Sequence, residues 1–332
     1  MDSREDHIKR NVTNGDKPDT RRVSFDFTLE TDLESIKESF LGRKNQECKI
    51  CETKGDFETW IFKEHLIGTN EEFKYFICGN CETLQIEKFP EDIGKYYNNQ
   101  YYEYKVPEMT PPDPNYPRDT RMILDVGCGA GVWLCDLVKF GCVNLYGCDP
   151  YIDEDRNYPN GVTIYKKNIH KINGCYDVIA FRDSLEHMPD SHEVFDSLKR
   201  LLKNKGDQTG SEEPKIEINL PVYPSLMFDM YGPYSFILDA PRHFFLYSVK
   251  AITYLAKKNG FQVVNIINGE LWHYYSLSRG YQLGLNWKDF WKVYHEKNVD
   301  LFDANEELFK VLSESARLTK RSSSVFMTLM RR

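Results

Sequence analysis

From residue 121 onward the apolar positions fall into short runs separated by stretches with helical spacing. Met122, Ile123, Leu124 and Val126 form the first run, and Trp133, Leu134, Leu137 and Val138 then share one face of a helix. A second run surrounds Leu145, a third closes at 165–169, and a fourth occupies 176–181. Val194, Phe195, Leu198, Leu201 and Leu202 make the next helical face, and Ile216, Ile218 and Leu220 alternate with polar residues in a fifth strand. Ser248 is placed to cap a helix that Gly260 closes, before strands at 261–267 and 323–330. Strand and helix in alternation predict an α/β fold with a mostly parallel sheet and helices on both faces. The stretch 271–321 between the last two strands is longer than a turn requires, so a helical insertion is expected there, acting as a lid or an oligomer contact.

The N-terminal part follows a different pattern. Residues 1–22 hold only Ile8 and Val12 as aliphatics and are expected to form a disordered tail. Within 23–44 a short helix is expected over 31–41, because Thr31 and Glu34 make a capping-box pattern and Leu33, Ile36 and Phe40 share a face. Runs at 57–62 and 73–77 read as strands of a small module over 45–90. Residues 91–120 carry Tyr96, Tyr97, Tyr101, Tyr102 and Tyr104 and then a proline-rich linker; the tyrosines are either half-buried packing or the wall of a ligand pocket. Residues 121–332 remain as the larger, α/β domain.

The 45–90 module contains Cys48-x-x-Cys51 and Cys78-x-x-Cys81. Two such hairpins offer four thiolates to one ion, the closed tetrahedral arrangement of a structural zinc in a zinc ribbon. The competing reading is a pair of redox or unrelated thiols. His65 is a further candidate ligand, although four cysteines already fill the shell. Nine cysteines in 332 residues, an odd number with no export signal, argue against a disulfide framework. No run approaches ~18 apolar residues, so no membrane span is expected and the chain reads as cytoplasmic. With 41% hydrophobic residues it can fill a core, and a net charge of −8 argues against a polyanionic partner.

The residues 125–131 carry the clearest chemistry: Asp125-x-Gly127-Cys128-Gly129-x-Gly131, between an apolar strand and a helix, with Asp149 after the next strand. Glycines admit close approach of a ligand to the main chain, the helix N-terminus offers free N–H groups, and an acid at that distance suits ribose hydroxyls. A nucleoside cofactor is implied. A dinucleotide fingerprint would need a small residue where Val132 stands, so NAD is disfavoured.

The pattern resembles motif I of class I S-adenosylmethionine (SAM) methyltransferases, and the resemblance continues in order over roughly residues 95 to 332. It implies a Rossmann-like sheet whose last strand runs antiparallel beside 261–267. It also implies SAM as cofactor, with contacts at Asp125, Gly127, Cys128, Gly129, Gly131, Asp149, Pro150, Asn168, Ile169, Phe181, Arg182 and Tyr102. Joined to the cysteine module, the layout resembles zinc-containing sugar methyltransferases. Their carbon-methylating members carry a Glu-His pair where this chain has Arg242-His243. Arginine cannot accept a proton, so O-methylation of a sugar, nucleotide sugar or glycan intermediate is expected, with His243 or His187 as base and Arg242 as anchor for an anionic acceptor. Asp183-x-x-Glu186-His187 also resembles the divalent-cation cluster of quinone-pathway O-methyltransferases. Two rivals are an RNA methyltransferase gripping through the ribbon and a protein with a degenerate, non-enzymatic site. Five lysines against nine acids over 45–90, a net charge of −4, disfavour the first, and the intact glycine loop disfavours the second. The acceptor is thus a small molecule or glycan, and the oligomeric state stays open.

Overall fold

The computed structural model describes residues 37–97, 107–109, 111–209, 211–295 and 303–332. The expected tail over 1–22 and Tyr102 lie outside the described residues. Two sheets organise the chain. The first is built from β1 (Phe40–Glu47), β2 (Lys54–Lys63), β3 (Glu72–Ile77) and β4 (Leu84–Ile86), all antiparallel. Of the helix expected over 31–41, residues 31–36 lie outside the described residues; 37–39 are helical, and 40–41 belong to β1 instead. Phe40 sits opposite Trp60 on β2, their rings 5.0 Å apart, and this cross-strand pair favours the extended form.

The second sheet begins with β5 (Asp119–Val126), followed by helix α1 (Val132–Lys139), β6 (Cys142–Cys148), β7 (Arg156–Asn157) and β8 (Thr163–Tyr165). Then come β9 (Val178–Arg182), α2 (Ser191–Leu201), β10 (Lys215–Pro221) and α3 (Leu226–Tyr231). The short β11 (Phe245–Leu246), α4 (Val249–Lys258) and β12 (Phe261–Gly269) follow. Helices α5 (Trp272–Gln282), α6 (Trp287–His295) and α7 (Asp303–Leu318) fill the 271–321 stretch before β13 (Ser324–Arg331). Strand order is β12-β13-β10-β9-β5-β6-β8-β7. The centre, β10 to β8, is parallel, while β13 runs antiparallel between β10 and β12. The sequence patterns explain the burial. Ile216, Ile218 and Leu220 of β10 are buried alternately, whereas β9, covered on both faces, buries 178–181 in succession. Ser248 caps α4 by accepting from the Ala251 amide at 2.9 Å, and Gly260 follows that helix at φ +79°.

The cysteine module is not a bead on a linker. Strand β11 leaves the catalytic part and pairs antiparallel with β4, completing the first sheet. Cys48, Phe62 and Phe76 share one buried core with Leu220, Tyr247 and Leu255. The Trp287 amide at the start of α6 donates to the Leu66 carbonyl at 2.9 Å, so the insertion touches the module too. Among the described residues no helix is long and apolar enough to cross a membrane.

Candidate functional site

Strand β5 ends in Asp125 and Val126, both buried, and the chain turns over the carboxyl end of the sheet. The Gly127 amide donates to the Cys148 carbonyl at 2.8 Å and the Gly131 amide to the Cys128 carbonyl at 2.9 Å, which closes a tight loop. Gly127 has φ +77°, and a Cβ there would lie 2.6 Å from the Ser184 Cβ; Gly131 has φ +81°, with a Cβ 2.3 Å from Ile164 Cδ1. Only glycine meets both constraints. Asp149, at the end of β6, accepts from the Gly129 amide at 2.9 Å through Oδ2 and from the Tyr151 amide at 2.8 Å through Oδ1. The loop and the acid are thus one bonded unit, with lone pairs on both carboxylate oxygens left over. Asp125 Oδ1 is buried without a hydrogen-bond partner, and burial pushes its carboxyl up to about 7. An orphaned buried carboxylate oxygen beside a glycine cradle is what a cationic ligand would satisfy.

The other expected cofactor contacts divide. Pro150 and Asn168 are exposed, and Cys128 is half-buried with its Sγ 3.6 Å from the Gly129 carbonyl. Arg182 is exposed with its guanidinium 4.8 Å above the Trp133 ring. Phe181 and Ile169 are 1% and 2% exposed and pack in the core. One aromatic residue not singled out stands nearby: Tyr151, next but one to Asp149, stacks on Tyr97 with centroids 5.6 Å apart and 14° between planes. Tyr97 belongs to the tyrosine-rich segment, and its hydroxyl lies 3.1 Å from His187 Nδ1.

His187 follows β9, His243 precedes β11, and their rings meet edge to face at 4.7 Å. Nδ1 of His187 bonds to the Arg242 carbonyl at 2.8 Å and Nδ1 of His243 to the Ile237 carbonyl at 2.7 Å. A carbonyl only accepts, so each Nδ1 carries the proton and each Nε2 holds a lone pair. Burial lowers both basicities, bringing His187 down to about 3, with neighbouring His243 adding to the effect. Glu186 is fully buried, neither carboxylate oxygen has a partner, and Oε1 lies 3.9 Å from His243 Nε2. Burial holds it well above the usual carboxylate range, with Asp183 adding to the shift. Asp183 itself is engaged by Asn219 Nδ2 at 2.9 and 3.0 Å. The donor group that comes together is Glu186, His187 and His243, within 4.8 Å of one another, rather than the expected Asp183, Glu186 and His187.

Arg242 departs most from expectation. It is fully buried, and its guanidinium bonds Glu64 Oε1 at 3.0 Å, the Tyr96 carbonyl at 3.0 Å and both oxygens of Asp239. With its donors committed inside the protein it cannot anchor an anionic acceptor. Arg242 sits in a turn, closed by the His243 amide donating to the Asp239 carbonyl at 3.1 Å, and this turn directs its side chain inward onto Asp239 and Glu64. Burial opposes ionisation of Asp239, yet the charge and hydrogen bonds of Arg242 carry it below the usual range.

The four cysteines form a second site. Both knuckles repeat the same fold: the Cys48 amide donates to Thr53 O and Cys78 to Thr83 O, while Glu52 and Glu82 take positive φ of 60° and 63°. Amides of Ile50 and Cys51 point at Cys48 Sγ at 3.4 Å, those of Asn80 and Cys81 at Cys78 Sγ at 3.4 and 3.5 Å. Cys48 to Cys81 and Cys51 to Cys78 are 3.6 Å apart between sulfurs, and all four sulfurs lie within 4.8 Å. Tetrahedral zinc with bonds of about 2.3 Å would separate its sulfurs by roughly 3.8 Å, so the donor set fits that ion. His65 stands apart, stacked on Tyr281 at 5.5 Å.

Comparison with known proteins agrees with this geometry. The methyltransferase-domain family matches residues 97–266, just over half of the chain, a stretch that includes the glycine loop, Asp149 and both histidines. No curated protein matches. Among solved structures, the chain is similar to a protein described as a sarcosine dimethylglycine methyltransferase from Galdieria sulphuraria (18% identity, 64% of this chain and 78% of that one, TM-score 0.40). It is also similar to the cyclopropane synthase MmaA2 from Mycobacterium tuberculosis (15%, 64% and 78%, 0.38) and to magnesium protoporphyrin IX methyltransferase from Synechocystis PCC 6803 with bound SAH (16%, 46% and 69%, 0.36). A family match over that stretch, set on a mostly parallel sheet with a glycine cradle at its carboxyl edge, identifies the chain as a member of the methyltransferase-domain family and a SAM-dependent methyltransferase.

Proposed function

We propose that the protein methylates a hydroxyl oxygen of a sugar, nucleotide sugar or glycan intermediate. The observation that carries this reading is the pair of histidines whose Nδ1 protons are held by main-chain carbonyls, leaving Nε2 lone pairs on rings that stand beside Tyr97. When bound, SAM supplies an activated methyl group. Asp125, the amides of 127–131 and Asp149 would hold it, and the protein's remaining task is to align the acceptor and take its proton. His243 Nε2 is the assigned base, with His187 packed against it. The stacked Tyr97 and Tyr151 offer aromatic faces suited to the C–H face of a sugar. The acidic module makes nucleic acid an unfavourable acceptor. A structural zinc held by Cys48, Cys51, Cys78 and Cys81 belongs to the same reading, as does a lid role for the insertion, whose α5 packs Tyr274 on Phe236 at 5.0 Å and accepts the Phe236 amide on Ser278 Oγ at 2.9 Å. Incubation with methyl-labelled SAM and a panel of nucleotide sugars, read by NMR, tests the reading. A methoxy signal on a sugar supports it, and a C-methyl or N-methyl product contradicts it.

One observation favours a second reading. Glu186, His187 and His243 form a two-histidine, one-carboxylate set with both carboxylate oxygens free, and each histidine has the carbonyl-bound Nδ1 typical of metal ligands. A divalent cation there would polarise the acceptor oxygen and replace the free base. Binding of Mn²⁺ that Glu186→Gln abolishes, with methyl transfer lost in chelator and restored by Mn²⁺, would establish this reading; metal-independent turnover would remove it.

A further inference from the structure

We propose that Arg242 and Tyr75 are positioning residues through which the cysteine module sets the placement of His187 and His243. The inference rests on the reading that these histidines face the acceptor. Arg242 precedes His243 in the chain, and its guanidinium joins three places: Glu64 in the segment after β2, the Tyr96 carbonyl before the proline-rich linker, and Asp239 in its own loop. Its main-chain carbonyl accepts from Nδ1 of His187 at 2.8 Å. One buried residue therefore fixes the backbone of one histidine and the ring of the other. Tyr75, on β3 and 1% exposed, gives its hydroxyl proton to the His243 carbonyl at 2.9 Å.

The anchor on the module side is itself rigid. Glu64 is fully buried and accepts from the amides of Ile67 at 2.8 Å and Thr69 at 2.9 Å, so it cannot follow Arg242 if the loop shifts. The Phe244 carbonyl accepts from the Ile86 amide at 2.9 Å, and Ser248 Oγ bonds to the Cys81 carbonyl, which ties the far end of the same loop to the second cysteine knuckle. The stretch 242–248 is thus gripped along its whole length by the module. A buried fork of this kind contributes little net stability, because desolvation offsets most of the attraction, but it specifies geometry through its planar donors. Methyl transfer is sensitive to such geometry: a misplacement of ~1 Å costs about 10²-fold in rate.

The test uses the full chain with Arg242→Lys, which keeps the charge and removes the fork, and Tyr75→Phe, which removes one hydroxyl. SAM affinity is read by calorimetry, kcat and KM by product formation, and the ring tautomers of His187 and His243 by ¹⁵N shifts in histidine-labelled protein. The expected result is SAM affinity within about twofold, kcat lowered by about 10²-fold in Arg242→Lys and by roughly fivefold in Tyr75→Phe, and loss of the uniform Nδ1–H pattern. If Arg242→Lys fails to fold, Tyr75→Phe decides alone. In a folded variant, an unchanged ring pattern, an unchanged kcat, or a loss shared equally by SAM affinity overturns the proposal. Full turnover by His243→Ala would end the base reading instead, and the ring shifts keep the two failures apart.

Discussion

Nε2 of His243 stands 3.9 Å from Oε1 of Glu186, although one residue follows β9 and the other precedes β11. The imidazole nitrogen carries the free lone pair and faces two buried acids, Glu186, whose oxygens have no hydrogen-bond partner, and Asp239, whose Oδ2 lies 3.8 Å away. The proximity of His243 and Glu186 links the two loops that the sheet topology brings to one edge.

The pH profile follows from the lowered basicity of His243. Burial pulls its conjugate acid below the ordinary value near 6.5, and the nearby Asp239 and Asp183 oppose this only in part. The base form therefore persists to lower pH than for a solvated histidine. The acid limb of kcat against pH is expected below about 6.5. A limb at or above that value would contradict the burial of the ring.

Asp125 links cofactor binding to protons. Its carboxyl titrates at about 7 in the free protein because burial favours the neutral form. A cationic ligand placed beside it favours the ionised form, so SAM binding should release a proton near neutral pH. Calorimetry in buffers of different ionisation enthalpy should show that release in the parent and not in Asp125→Asn. The folded-state shift also has a sign for stability. A carboxylate raised in the folded state favours folding at low pH and loses that contribution as pH rises from about 4 to about 7.

Loss of the ribose acceptor is expected to act on affinity alone. Asp149→Ala removes the carboxylate that Gly129 and Tyr151 hold in place, and SAM Kd should rise by about 10²-fold, the scale of two charge-assisted hydrogen bonds. Gly131→Val should bind worse still, since a Cβ would meet Ile164 at 2.3 Å. Affinity unchanged in both variants would displace the cofactor from this loop.

The glycine loop and Asp149 were legible in the sequence because they belong to one β-α-β unit, where spacing along the chain fixes position in space. The two cysteine knuckles were legible for the same reason, each being a closed local turn. Antiparallel placement of the last strand beside β12 also followed the resemblance. The role of Arg242 was not legible. Adjacency to His243 suggested a shared task, but its partner Glu64 lies far away in sequence and is brought near only when β11 joins the first sheet. Grouping of Asp183 with Glu186 failed on equally non-local grounds, since Asn219 of the neighbouring strand β10 holds Asp183. Tyr151 carried no signal beyond its position after Asp149 and Pro150.

The cysteine site should reach the catalytic loop. One zinc per chain is expected by metal analysis of the parent, and Cys48→Ser should lose it. Because Ser248 bonds to the Cys81 carbonyl and β4 pairs with β11, hydrogen exchange in Cys48→Ser should rise over 242–248 as well as over 45–90. Faster exchange confined to 45–90 would show that the module and the loop are uncoupled.

The central claim is that a hydroxyl of the acceptor gives its proton to His243. With the acceptor found in the nucleotide-sugar screen, the deciding measurement is steady-state turnover of His243→Ala beside its SAM affinity. The expected result is kcat lowered by about 10²-fold or more with SAM Kd nearly unchanged, the scale on which loss of a general base acts. Turnover close to that of the parent protein would contradict the claim.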